Sequence, residues 1–302
     1  MKIGKGGYGT VYRPYPVPCS KTKDLIPDQN YIGKITNKHK LPLKSIQEIQ
    51  KTRAKIDPRK QFTLPFEGYC QKDASNNKLP YWETNYNIEY IYPYGGRTLS
   101  NVKPKTVVQK WILFCNLFKL FEKIAHMNKS LYHLDLKGEN VLVKDSGELL
   151  LIDFDLSLSV DDFVARFKNG EYRNVVYWAW PPEVNYYLNK KDAVVDPTRV
   201  VNDLRYLING CGFTPQQVLD NYNSFVKSND YNDMVNKKKG DFSKVDIYSA
   251  GILMRQMGLF GFDKSVDQLI DWATNPIPSK RATWTEFLRM QKQILTNLLK
   301  KL

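Results

Sequence analysis

A chain of 302 residues, 42% hydrophobic and 25% charged, carries enough apolar material for one large domain or two lobes around a buried core. Its net charge of +14 favours acidic partners, whether nucleotides, acidic protein substrates, nucleic acid or anionic membrane surfaces, and does not choose among them. No apolar run reaches the roughly 20 residues that span a bilayer. The best candidate, 111–121, is broken by Asn116 and Lys119. Four scattered cysteines and three histidines indicate neither a zinc cluster nor a disulfide framework. With no apolar leader after Met1, an intracellular place is expected.

The first element is the run Gly4-Lys5-Gly6-Gly7-Tyr8-Gly9-Thr10-Val11, which contains the spacing G-x-G-x-x-G. In a dinucleotide-binding unit a helix would begin at the third glycine, but Val11-Tyr12 continues as strand and prolines follow at 14, 16 and 18. The lysine is followed by glycine rather than Ser or Thr, which removes a Walker loop. A glycine hairpin between two strands remains, able to close backbone amides over phosphates. The strand ahead of it is short, or starts before Met1. A Pro-rich loop over 14–27 leads to the strand Tyr31-Ile32-Gly33-Lys34-Ile35, where Lys34 needs a partner. A helix over 43–56, with Ile46, Ile49 and Ala54 near one face, offers Glu48 as that partner. A strand over 88–91 ends at Pro93-Tyr94-Gly95-Gly96, a connector that marks the boundary between residues 1–93 and 94–302.

From 105 onward the pattern turns helical, with Trp111, Phe114, Leu117, Phe118, Phe121 and Ile124 as a core-facing stripe. Next comes His133-Leu134-Asp135-Leu136-Lys137-Gly138-Glu139-Asn140, and Asp153-Phe154-Asp155 begins thirteen residues after Asn140. Short apolar strands at 141–143 and 149–152, joined by Asp145-Ser146-Gly147, form a hairpin. An amide oxygen at Asn140 and a carboxylate at Asp153 are hard donors suited to a magnesium ion that completes its shell with water and phosphate. Asp135 and Lys137 beside them suggest phosphoryl transfer. Residues 185–240 read as a polar stretch with some helix around 215–226, and further helices are expected over 245–257 and 284–299. Asp246, near the start of the first of these, is placed to cap it.

These motifs, in this order, resemble those of a eukaryotic-type protein kinase over nearly the whole chain. The resemblance implies an α+β, bilobal protein-kinase-like fold: a small, mostly β N-lobe with one helix, and a larger, mostly α C-lobe containing the insertion at 185–240. It implies that Gly4, Gly6, Gly7, Gly9 and Val11 cover nucleotide phosphates. Lys34, paired with Glu48, would reach those phosphates, and backbone groups of Glu89 and Ile91 would bond adenine. Asp135 takes the catalytic aspartate position and Lys137 that of the phosphate-contacting lysine of Ser/Thr kinases. Asn140 and Asp153 take those of the metal ligands, for Mg2+ or Mn2+ with ATP. Pro181-Pro182-Glu183 resembles Ala-Pro-Glu with Arg281 as its ion-pair partner, and Asp246 would hold the catalytic loop by its backbone.

Three departures from the pattern matter. Leu134 stands where an arginine usually receives a phosphorylated loop, which implies activity independent of phosphorylation at Ser157, Ser159 or Tyr172. Asp155 replaces a glycine, a variant that resembles kinases of large DNA viruses and would place the protein in a host cell or virion. Val175-Val176-Tyr177-Trp178 replaces the expected Gly-Thr pair. The expected function is ATP- and Mg2+-dependent phosphorylation of serine or threonine hydroxyls in protein substrates, acidic ones among them. The alternative is an inactive nucleotide-binding scaffold. Nucleic acid is a remote partner, and the insertion is a candidate docking segment.

Overall fold

The computed structural model describes residues 2–5, 9–14, 30–36, 47, 50–51, 53–54, 56–60, 62–64, 67–71, 88–169, 177–187, 197–237 and 242–300. The chain divides into two compact units, Met1–Gly96 with Leu150–Asp155 and Arg97–Leu149 with Leu156–Leu302. The first is built on strands and the second mostly on helices.

In the first unit, β1 (Lys2–Lys5), β2 (Gly9–Tyr12), β3 (Tyr31–Thr36), β4 (Gly68–Gln71) and β5 (Ile88–Pro93) form an antiparallel sheet in the order β1-β2-β3-β5-β4. The first two strands pair Gly4 with Val11 and Lys5 with Thr10, so the strands on either side of the glycine run are antiparallel and the second stays extended after Gly9. Gly6, Gly7 and Tyr8 lie outside the described residues, as do residues 15–27 of the Pro-rich segment and Glu48. Helical backbone is present at 47, 50–51, 53–54 and 56, within the helix expected at 43–56. It ends at Asp57, whose carboxylate accepts from Phe62 N, Thr63 N and Thr63 Oγ1 at 2.9–3.0 Å. That turn carries the chain to a parallel bridge between Thr63 and Leu151, with Leu151 N donating to Phe62 O at 2.7 Å. Residues 150–155 are thereby stitched to the sheet-bearing unit.

The second unit begins with β6 (Arg97–Thr98), followed by the long helix α1 (Val107–Met127). Thr106 and Gln109 form a capping box at its start, satisfying two amides that a helix end would otherwise leave bare. Phe114, Leu117, Phe121 and Ile124 of the expected stripe are fully buried, each contributing about 1.5–3 kcal/mol by leaving water. Phe121 meets Trp284 and Phe287 of the terminal helix, Trp284–Leu299. Beyond α1 come β7 (Leu131–Tyr132) and β8 (Val141–Val143), then a turn in which Gly147, at φ +83°, donates to Lys144 O, and then β9 (Leu149–Leu151). The expected hairpin is therefore present.

The stretch at 185–240 is more helical than its polar composition suggests, with helices at Pro197–Asp203, Arg205–Cys211, Pro215–Val226 and Asn229–Lys237. Its sparse apolar residues, among them Val200, Leu204, Leu207, Val218 and Phe225, share a core with Leu134, Phe163, Trp180 and Ile252. Scattered along the sequence, they carry little periodic signal, and only packing gathers them. At the centre, helix Val245–Gln256 is buried along its whole length. A Cβ on its Gly251 would lie 2.6 Å from Thr274 Cγ2 and 2.9 Å from Ala273 Cβ of the adjoining chain, so only glycine permits this approach. Among the described residues, no helix is long and apolar enough to cross a membrane.

Candidate active site

In the second unit the loop after β7 is hung on one buried carboxylate. Asp246, fully buried, accepts from His133 N at 2.7 Å, Leu134 N at 3.0 Å and Asn128 Nδ2 at 2.8 Å. It holds the loop by its backbone, rather than serving as the helix cap its position also allowed. Leu134 has φ +63°, a left-handed conformation that costs a non-glycine residue on the order of 1–3 kcal/mol. The two amide bonds to Asp246, a bond from Trp180 Nε1 to Leu134 O at 2.7 Å, and burial of the leucine side chain offset that cost. Leu134 thus faces a packed apolar cluster, and Ser157 is buried and donates to His133 O at 3.2 Å.

The same loop aims its polar side chains at one another. Lys137 Nζ lies 2.8 and 3.0 Å from the two carboxylate oxygens of Asp135. Asn140 Nδ2 donates to Asp135 O at 2.8 Å and to Asp135 Oδ2 at 2.6 Å. With its amide hydrogens spent on Asp135, Asn140 keeps its oxygen as an acceptor. Sequence reasoning missed one member of this group: Tyr177, whose hydroxyl donates to Asp135 Oδ1 and accepts from Lys137 Nζ at 2.8 Å. It lies in the stretch that lacks the expected Gly-Thr pair, so a search by residue type passes over it. Asn185 fixes Tyr177 by accepting from its N–H at 2.9 Å and donating to its carbonyl at 3.0 Å.

The helical stretch reaches this loop from behind. The Tyr206 ring stacks on Trp178 at 4.1 Å, and its hydroxyl accepts from Gln256 Nε2 at 2.9 Å. Gln256 in turn accepts from Gly138 N at 2.7 Å and donates to Glu139 at 3.1 and 3.2 Å. A Cβ on Gly138 would lie 3.1 Å from Gln256 Oε1 and 3.1 Å from Ser100 N, so a side chain here would push on this anchorage. Farther along, Arg281 and Glu183, both fully enclosed, form a bidentate pair at 2.6 and 3.0 Å.

In the first unit, Lys34 projects from β3, and its Nζ lies 2.7 Å from Asp153 Oδ1 and also donates to Asp155 Oδ2. The expected partner, Glu48, is outside the described residues; among the described residues the carboxylates on Lys34 are those of Asp153 and Asp155. Burial alone would lower the lysine pKa, but Asp153 and Asp155 outweigh it and hold the ammonium above its ordinary value. Burial, with the Asp153 carboxylate next to it, pushes Asp155 up to about 7. One ammonium neutralises one carboxylate, and the second is then the group that most readily takes a proton. Asp153 itself sits at φ +60°, which aspartate tolerates better than most residues.

The expectation that backbone groups of Glu89 and Ile91 bond adenine needs correction. β5 has a neighbour on each side: Glu89 pairs with Ile35 and with Cys70, and Ile91 O accepts from Glu67 N at 3.0 Å. The Glu89 side chain is buried instead, neither oxygen has a hydrogen-bond partner among the described residues, and burial raises its pKa to about 8. A pH dependence follows. Between about pH 4.5 and 8 the folded protein keeps a proton that the unfolded chain has released, so this stabilisation is present below 4.5 and lost as pH rises through 8. Denaturant unfolding from pH 5 to 8.5 is expected to show Glu89→Gln escaping a loss on the order of 3 kcal/mol suffered by the parent. Equal pH slopes in the two proteins would contradict this.

Among the described residues, no three His, Cys, Asp or Glu side chains group as a metal cage. A sparse oxygen set suits magnesium, which keeps several waters and takes few protein ligands. Asn140 in the second unit, whose amide hydrogens are spent on Asp135, and Asp153 in the first each offer a hard oxygen of that kind. Asp135, Lys137, Asn140 and Tyr177 belong to the second unit, while Lys34, Asp153 and Asp155 belong to the first. Each unit thus carries groups of the kind that phosphoryl transfer uses: a carboxylate beside a lysine and an amide in the second, and a lysine between two carboxylates in the first.

No family model matches the chain. Among curated proteins, a probable serine/threonine-protein kinase mkcD of Dictyostelium discoideum is 28% identical over 159 residues, 51% of this chain and 22% of that protein. The chain is similar to serine/threonine protein kinases. Serine/threonine-protein kinase mig-15 of Caenorhabditis elegans is 32% identical over 85 residues, 28% of this chain and 7% of that protein. The CTD kinase subunit alpha of Saccharomyces cerevisiae is 27% identical over 190 residues, 61% of this chain and 31% of that protein. The chain thus spans at most about a third of the length of these three relatives. Low as the identities are, they support the eukaryotic-type kinase family, and the α+β class implied by the resemblance is the class of the fold.

Proposed function

We propose that the protein transfers the γ-phosphoryl group of ATP, with magnesium or manganese, to serine or threonine hydroxyls of protein substrates. The observation that carries this reading is the Asp135 cluster, in which Lys137, Asn140 and Tyr177 converge on one carboxylate whose loop is suspended from Asp246. Asp135 orients the substrate hydroxyl and accepts its proton as the new O–P bond forms. Lys137, next to that carboxylate, neutralises charge on the moving phosphoryl group, and Lys34 does the same for the nucleotide phosphates. A cation held by Asn140 and Asp153 would add Lewis-acid stabilisation at the phosphates. The glycine hairpin, with Gly4, Gly6, Gly7, Gly9 and Val11, covers the nucleotide. In this reading residues 1–93 form the nucleotide-side lobe and 94–302 the catalytic lobe, with 185–240 serving as a brace for the catalytic loop and a docking segment for substrate.

The test uses purified protein, γ-labelled ATP, Mg2+ or Mn2+, and generic acidic and basic protein substrates, run beside Lys34→Met and Asp153→Asn. Label transfer by the parent that falls at least tenfold in both variants is expected. Transfer that persists unchanged in both would refute the assigned residues, and a parent that neither binds nor turns over ATP would favour the scaffold reading.

A further inference from the structure

Asp155 is left without a task by the reading above, although it touches the lysine on which that reading depends. The two carboxylates on Lys34 differ in exposure: the Asp153 side chain is 31% exposed, and those of Asp155 and Lys34 are 16% exposed each. Asp153 is therefore the carboxylate open to solvent and to a cation, and Asp155 is the enclosed one. A cation that engages Asp153 withdraws negative charge from Lys34, and an enclosed ammonium without a counter-charge is costly. Among the described residues, Asp155 is then the carboxylate still on Lys34. Its backing is also built: Arg53 bonds to Leu64 O and Gln50 Oε1, stacks 4.6 Å above the Phe154 ring, and adds positive charge near Asp155. A glycine at 155 would give Lys34 no such counter-charge.

We propose that Asp155 is a positioning residue that holds Lys34 toward the nucleotide phosphates while Asp153 is engaged by the metal. The proposal rests on the assignment of Lys34 and Asp153 made above. It also separates Asp155 from the metal: Asp155 acts through the lysine and not as a further ligand.

The test is calorimetric titration of ATP into the parent, Asp155→Asn, Lys34→Met and the double variant, in excess Mg2+ and again in EDTA. Thermal melts of each check folding. With Mg2+, Asp155→Asn is expected to weaken ATP binding about tenfold, and in EDTA, where Asp153 keeps its bond to Lys34, by less than about threefold. In the Lys34→Met background, Asp155→Asn is expected to add nothing, because the partner through which it acts is gone. Asp155→Glu, which keeps the charge, is expected to recover most of the affinity and guards against a folding artefact. A tenfold loss that persists without Lys34 would make Asp155 a metal ligand and overturn the proposal. Tighter binding by Asp155→Asn, or no change with Mg2+, would overturn it as well. If Lys34→Met binds ATP like the parent, the assignment of Lys34 fails first and this inference falls with it.

Discussion

Replacing Arg281 with alanine is expected to lower the unfolding free energy by about 3–5 kcal/mol, among the largest single-site effects in the molecule. Both side chains of the Arg281–Glu183 pair are fully enclosed. Besides its fork on Glu183, Arg281 donates through Nε to Asn275 O at 3.0 Å and through Nη1 to Lys244 O at 3.2 Å. Truncation strips a buried carboxylate of its counter-charge, leaves two carbonyls short of a donor and opens a cavity. The loss belongs to the broken pair rather than to the pair's net worth, since an intact buried pair also bears a desolvation cost. Urea denaturation measures it. The double change Arg281→Met with Glu183→Leu is expected to recover at least half, and a single-variant loss below about 1 kcal/mol would contradict the argument.

The second large effect is on turnover. Asp135→Asn keeps the side-chain volume but removes the group proposed to accept the hydroxyl proton, so kcat for protein phosphorylation is expected to fall about 10²–10⁴-fold. Tyr177→Phe, which removes one donor to Asp135 and one acceptor for Lys137, is expected to lower kcat about tenfold with little change in KM for ATP. Steady-state kinetics on both variants decide it. If Asp135→Asn keeps more than a tenth of the parent rate, Asp135 is not the base.

Several parts of the site are legible in the order of residues because they lie close together in the chain. The run from His133 to Asn140 brings Asp135, Lys137 and Asn140 into one loop, and the apolar strands that follow announce the hairpin. Asp246 and Arg281 were placed by resemblance to a known motif order, and the structure puts each on the partner it implies, more than 90 residues away in the chain. Tyr177 was not legible, because a phenol reaches Asp135 from a stretch where a shorter hydroxyl was sought. The role of residues 185–240 was not legible either, since Tyr206 acts on the loop only through Trp178 and Gln256.

By itself the sequence determined which groups are at hand: a carboxylate, lysines, hard oxygens and a glycine-rich run, set close together by local composition and spacing. Tertiary structure alone decided how these groups are paired. It put Asp155 on Lys34, Tyr177 on Asp135, and the Glu89 and Ile91 backbones into a strand flanked on both sides. The reason is physical: whether a charge or a backbone amide is available depends on which distant groups arrive to satisfy it, and burial makes leaving it unsatisfied expensive.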